Sequence, residues 1–236
     1  MTSADKTTDE RHLRVPRYSG SARINHWTVA ATFVLLTLSG LALYLPSLYF
    51  LTGLFGGGQN TRAIHPWLGC LLVLAFAGLF VRFFSQNLPE STDLTWLSRA
   101  GKVIDPDGEK FLPEVGKYNA GQKIVFWSQA VLITILLITG LALWQQGLPY
   151  IESVLGFQLS LETRRWAAVI HATAATLSIV VWIVHVYSAI WVRGTMPAMV
   201  EGSVSGGWSW KHHRRWLRNK VAEGDIEHTG SRNPAE

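Results

Sequence analysis

The sequence predicts an all-α integral membrane protein, a four-transmembrane-helix bundle with both termini in the cytoplasm, and three observations predict it. Four stretches lack Asp, Glu, Lys and Arg over a membrane-crossing length: Ile24 to Leu51, Ala63 to Val81, Ile124 to Ile151 and Trp166 to Val192. The last has 27 residues, about 40 Å of helix at ~1.5 Å per residue against a hydrocarbon core of about 30 Å. Basic residues are divided unequally: 18 of the 21 Lys and Arg fall in residues 1–23, 82–123 and 193–236, while Arg62, Arg164 and Arg165 lie on the other side. Positive charge stays on the cytoplasmic face, which puts the termini and the middle loop there. Finally, the two halves of the apolar region repeat each other, as in a duplicated helical hairpin.

Each element follows in order. Residues 1–23 hold eight charged side chains of both signs and no small-x-small pattern ahead of the first apolar run. They read as a cytoplasmic N-terminal segment, and a cleaved leader is not expected. The membrane domain occupies 24–192, with spans at about 24–48, 63–84, 122–146 and 164–192 and a cytoplasmic loop at 85–121. Within that loop DPDGE, 105–109, is a turn signal. Residues 193–236 form a basic tail whose HHRRWLRNK (212–220) reads as solvated or facing anionic lipid. The mean hydropathy of +0.18 is modest because polar termini dilute the spans. The net charge of +5 is accounted for by topology, so no nucleic-acid partner is needed to explain it.

The repeat is visible by eye. HWTVAATFVLLTLSGLALYLP (26–46) lines up with FWSQAVLITILLITGLALWQQGLP (126–149), matching Trp27 to Trp127 and Ser39-Gly40 to Thr139-Gly140. The second and fourth spans each follow an arginine with a histidine, in RAIHPW (62–67) and RRWAAVIHA (164–172). One position differs in chemistry, since His26 corresponds to Phe126. Cys70, the only cysteine, lies in the second span and is expected to pack.

Four histidines lie within or at the ends of spans: His26, His65, His171 and His185. His12, His212, His213 and His228 sit in polar regions and are set aside. Topology gives each of the four a depth, with His65 and His171 toward the outer face and His26 and His185 toward the inner. His171 and His185 are 14 residues apart, about 21 Å along the axis and within about 40° of four full turns, so they share a helix face. Ionisable groups inside a bilayer are costly and mark function. No Asp or Glu lies in any span, so a zinc or manganese transport site is poorly supplied with ligands. Paired histidines on opposite helices suit the two axial positions of a haem, with Gly40, Gly69, Gly78, Gly140, Ala172 and Ala175 leaving room for the ring. Iron with both axial positions filled passes electrons and binds no substrate. Two such haems at two depths would make an electron wire.

These residues resemble the gamma subunit of respiratory formate dehydrogenase, a membrane di-haem cytochrome b. The resemblance covers residues 14–218 and is carried by INHWT around His26, RAIHPWLG around His65, VGKYNAGQK at 115–123, the His171 to His185 spacing, WVRGTMPAMVEGSVS and KHHRRW. It implies His65 and His171 as axial ligands of an outer b-type haem and His26 and His185 as those of an inner one. It further implies a quinone, ubiquinone or menaquinone, at Asn119, Gly121 and His185. It also implies partner subunits: an iron-sulfur (beta) subunit and a molybdenum or tungsten catalytic (alpha) subunit, in a bacterial inner membrane. Asn119 followed by Gln122 reads independently as a helix N-cap with its capping-box partner. Related cytochromes b serve hydrogenases and thiosulfate- or tetrathionate-type oxidoreductases, and a histidine-containing metal transporter is the alternative of another class.

Overall fold

The computed structural model describes residues 13–103, 105, 108–192, 194–224 and 227–228. Expectations that fall on His12, Pro106, Asp107, Arg193 and the end of the tail lie outside the described residues. Strand β1 (Leu13–Pro16) leads into helix α1 (Gly20–Tyr44). The helix starts before its apolar run because Ser19 accepts the Ala22 N–H at 3.3 Å, a side-chain N-cap. It stops ahead of Pro46, whose ring disfavours helical backbone at the residue before it. A 3₁₀ segment (Pro46–Phe55) and two glycines with positive φ, Gly56 and Gly57, lead to α2 (Gly58–Phe83). Pro66 lies inside α2, next to His65, and has no N–H to offer the Arg62 carbonyl. Helix α3 (Ser91–Ser98) precedes α4 (Ala120–Leu143), and α5 (Leu148–Leu155) precedes α6 (Leu161–Trp191), which Ser160 caps by accepting the Thr163 N–H at 3.1 Å. Then come α7 (Met196–Val200), β2 (Ser203–Ser205), α8 (Gly206–His212), α9 (Arg214–Glu223) and β3 (Glu227–His228).

Helices α1, α2, α4 and α6 are each long and apolar enough to cross a membrane. The chain divides into two units, each described by itself. The first comprises Ile24–Arg82 and Trp127–Val184, and its apolar centre is Phe33, Leu72 and Ile133 with Val29, Leu36, Val73, Phe76, Ile179 and Trp182 around them. Small hydroxyls are among its most buried side chains: Ser39, Thr61 and Ser178 are at most 1 % exposed. Outward it presents Leu74, Ile138 and Val180, an apolar surface that water would not tolerate over this extent but lipid does. Thr32, Thr134, Thr173 and Thr176 donate to carbonyls one turn back, so these hydroxyls are satisfied within their own helices.

The second unit holds the described parts of Met1–Arg23, Phe83–Phe126 and His185–Glu236. It contains a three-stranded antiparallel sheet, β2-β1-β3, which the helical reading did not foresee. Arg14 pairs with Ser205 and, on its other side, with Glu227. The sheet packs Val15 and Val204 against Ala198, Trp208, Trp216 and Leu217. The described part of the basic tail is therefore folded and not merely solvated. His213, Trp216 and Leu217 at spacings of three and four bury one face of the tail, and Arg214 and Arg218 line the other.

Candidate functional site

The repeat builds one site from two copies of the same device. His65 on α2 faces His171 on α6 with ring centroids 6.4 Å apart and planes at 67°. Behind His65, Nδ1 stands 2.8 Å from the Ser39 hydroxyl on α1. Behind His171, Nδ1 stands 2.8 Å from the Thr139 hydroxyl on α4. Ser39 gives its own proton to the Leu35 carbonyl at 2.8 Å and Thr139 gives its to the Ile135 carbonyl at 2.7 Å. Each hydroxyl is thus left with lone pairs to accept, and each Nδ1 must carry the ring proton. In both rings Nε2 is then left as the lone-pair nitrogen.

The donor set suits a haem: two imidazoles with centroids 6.4 Å apart, each with one nitrogen that would be available to the iron. A Cβ at Gly40 would lie 3.4 Å from His65 Cε1, and one at Gly140 would lie 3.4 Å from His171 Cε1. The glycines let the backbone of α1 and α4 approach the imidazole edges, and the correspondence of the two distances makes the Ser-Gly and Thr-Gly pairs structural equivalents. Nothing lies within 4 Å of a Cβ at Gly69, one turn beyond His65, so space beside that residue is open. Gly78 serves differently from the reading of the sequence. Its missing Cβ makes room for the Asn25 side chain, whose Nδ2 would lie 2.7 Å away.

His26 stands early in α1, its ring edge-on to Trp27 at 5.5 Å, and His185 lies near the end of α6. Between His171 and His185, seven residues from each, Ser178 donates to Gln129 Oε1 at 2.7 Å while Gln129 Nε2 donates to the Ser178 carbonyl at 3.0 Å. Sequence reasoning missed this bracket, although a glutamine within an apolar span was a signal. It also passed over the role of Ser39 and Thr139, whose signal was the repeat itself.

Asn119 and Gln122 form the expected reciprocal cap, each side-chain oxygen accepting the other's N–H at 3.0 Å. The cap commits Asn119 Oδ1 and leaves its amide Nδ2 without a partner among the described residues. A Cβ at Gly121 would meet Trp96 Cη2 at 3.1 Å, so that glycine is covered by an indole edge. Lys123, 5 % exposed, donates to Asp93 Oδ2 at 2.9 Å and lies 3.5 Å from Glu90 Oε1. Burial alone would raise the Glu90 carboxyl, but Arg215 and Lys123 outweigh it and hold the group below its ordinary value.

Next to this segment sit cations with little carboxylate about them. Arg17, 6 % exposed, places its guanidinium over Trp216 at 4.8 Å and Trp208 at 5.1 Å and donates to the Lys117 carbonyl. His213, one of the histidines set aside, is 1 % exposed and donates Nδ1–H to the Gly116 carbonyl at 2.8 Å. Burial and then the charge of Arg17 hold its ring neutral, well below the usual histidine range. Burial, Arg17 and Lys220 together pull the Lys117 ammonium down to about 8.

Four membrane-length helices carrying two hydroxyl-backed imidazoles face to face define a membrane cytochrome. Residues 17–202 match the profile described as prokaryotic cytochrome b561, and the chain belongs to that family, which implies b-type haem. The chain is 40% identical over 196 residues to the nitrate-inducible formate dehydrogenase cytochrome b556(Fdn) subunit of Escherichia coli (strain K12), covering 83% of this chain and 87% of that protein. It is 36% identical over 209 residues to the formate dehydrogenase cytochrome b556(fdo) subunit of the same organism, covering 89% and 94%. It is 34% identical over 208 residues to the formate dehydrogenase cytochrome b556 subunit of Haemophilus influenzae, covering 88% and 84%. The resemblance carried by INHWT, RAIHPWLG and VGKYNAGQK is borne out by these relatives.

Proposed function

We propose that this chain is the membrane cytochrome b subunit of a formate dehydrogenase complex, conducting electrons from formate oxidation through two b-type haems to a quinone. The observation that carries the reading is the 6.4 Å approach of His65 and His171, each backed by a hydroxyl; the names of the relatives supply the formate dehydrogenase assignment. His65 and His171 would hold the outer haem. His26 and His185 would hold the inner one, a pairing supported by the resemblance and by the 14-residue spacing on α6. Each haem supplies one-electron transfer and no substrate chemistry. The catalytic and iron-sulfur subunits would dock on the outer side, and the termini would lie in the cytoplasm of the cell whose inner membrane holds the complex.

At the inner end the chain's own groups handle the quinone and its protons. Reduction to the quinol takes two electrons and two protons. Asn119 would offer its amide N–H to a quinone carbonyl, with Gly121 and His185 beside it. Lys117, held near 8, can release and regain a proton close to neutral pH. Proton uptake from the cytoplasm against electrons from outside moves charge across the membrane, storing ~2.3 kcal/mol per charge per 100 mV.

The test is a dithionite-minus-oxidised spectrum with haem quantification on the purified protein, repeated for His26→Ala, His65→Ala, His171→Ala and His185→Ala. Two b-type haems per chain, with one lost in each variant, are expected. A haem-free protein that still inserts in the membrane would overturn the cytochrome reading. Formate-dependent quinone reduction by the assembled complex then tests the partner, and a complex active with another donor alone would reassign it.

A further inference from the structure

We infer that Ser39 and Thr139 are positioning residues for the outer haem, setting its reduction potential through hydrogen bonds to the backs of both axial imidazoles. The inference rests on the reading of His65 and His171 as the axial pair. Three features of the structure carry it. Both hydroxyls stand 2.8 Å from Nδ1, so the contact is made twice by equivalent parts of the repeat. Both are committed as donors to carbonyls of their own helices, so they meet the rings as acceptors. Both are buried, Ser39 at 0 % and Thr139 at 7 % exposed, so no bulk water competes for the ring proton.

The consequence is electronic as well as geometric. An acceptor on Nδ1–H strengthens the basicity of Nε2 and fixes the plane of the ring. A more basic axial nitrogen stabilises ferric over ferrous iron, so both hydroxyls pull the outer haem to a lower potential than unsupported imidazoles would give. The two sides differ in one respect. Ser39 is 0 % exposed and Thr139 7 %, so a lost acceptor is less readily replaced from outside at Ser39. Ser39 is therefore the stronger lever.

The experiment uses the full-length protein in detergent, with optical redox titration of the b-type band and electron paramagnetic resonance of the ferric form. Ser39→Ala should keep its haem, remain low-spin and shift the ferric-to-ferrous equilibrium of one haem about tenfold toward ferrous, ~59 mV upward for a one-electron couple. Thr139→Val should shift the same haem in the same direction by less. Ser39→Thr and Thr139→Ser restore the acceptor and should return the potential to within about threefold of the parent equilibrium, which a purely structural role would not require. If Ser39→Ala loses its haem, Thr139→Val decides. Unchanged potentials in haem-loaded Ser39→Ala and Thr139→Val would overturn the positioning role. Full haem content in His65→Ala or His171→Ala would instead overturn the axial assignment beneath it.

Discussion

The bracket between Gln129 and Ser178 gives the most exacting test of how the bundle is held. Its two hydrogen bonds, 2.7 and 3.0 Å, join α4 to α6 midway between His171 and His185. Removing Gln129 as Gln129→Val leaves the Ser178 hydroxyl free to turn to a carbonyl of its own helix, as other hydroxyls in these spans do, so the loss is about 1–2 kcal/mol. Removing the hydroxyl as Ser178→Ala strands Gln129 Oε1 in a low-dielectric interior at about 1–3 kcal/mol. Replacing both should cost less than the sum, because no polar atom is then left unpaired. The other half of the repeat displays that solution. The counterparts of Gln129 and Ser178 are Val29 and Leu72, and both belong to the apolar cluster of the same unit. A double-mutant cycle read by equilibrium unfolding of the haem-loaded protein in mixed detergents should give a coupling near 1 kcal/mol, within the range measured between transmembrane helices. Strictly additive single effects would refute the bracket as a unit.

Three further outcomes follow from the site and its surroundings. His213 has its folded pKa pushed below the unfolded value, so as pH falls below about 6.5 the unfolded chain binds a proton that the folded chain refuses and stability declines. Thermal melts from pH 7 to 5 should therefore fall more steeply for the parent than for His213→Gln, and parallel slopes would contradict the assignment. Lys123→Met should cost about 2–4 kcal/mol, since Asp93 and Glu90 are left without their nearly buried cation, and limited proteolysis should then cut residues 85–119 faster; unchanged cleavage would refute it. Gly40→Ala should be tolerated because its methyl just touches His65 at 3.4 Å, whereas Gly40→Val should displace the ring and lower the haem content measured for the purified protein.

The membrane half of the molecule was legible because its physics is one-dimensional. An uncharged run of 27 residues needs no knowledge of packing. The meeting of His65 with His171 was legible for the same reason, since each follows an arginine near the start of its span. What the sequence concealed depends on long-range partners. Strand β1 has four residues and pairs with residues about 190 positions away, so no alternating run announces it. His213 was hidden by its neighbours: Arg214, Arg215 and Arg218 dominate the composition of the tail, and the buried stripe of His213, Trp216 and Leu217 shows only at helical spacing. Asn119 was read correctly as a cap, but the indole over Gly121 comes from α3, 25 residues earlier.

The repeat also explains why the two proposed haem sites cannot be equivalent. The outer pair, His65 and His171, occupies corresponding positions of the two hairpins, and each comes with its own hydroxyl and glycine. The inner pair does not: His26 corresponds to Phe126, and His185 corresponds, in the register that aligns His171 with His65, to Leu79. A duplicated hairpin with one histidine per copy already makes a complete symmetric site at one depth. On the proposed pairing, a second site at the other depth would draw histidines from positions that do not correspond, one on α1 and one on α6. The Gln129–Ser178 bracket follows the same asymmetry, for its counterpart in the first hairpin is apolar. On the proposed function the outer site would be the product of the repeat and the inner site of its divergence. On that account exchanging Ser39 for Thr and Thr139 for Ser together should leave the outer haem's potential nearly unchanged, because the swap only exchanges equivalent parts. A shift as large as that of Ser39→Ala would show that the two halves are not interchangeable and that the symmetry of their distances is incidental.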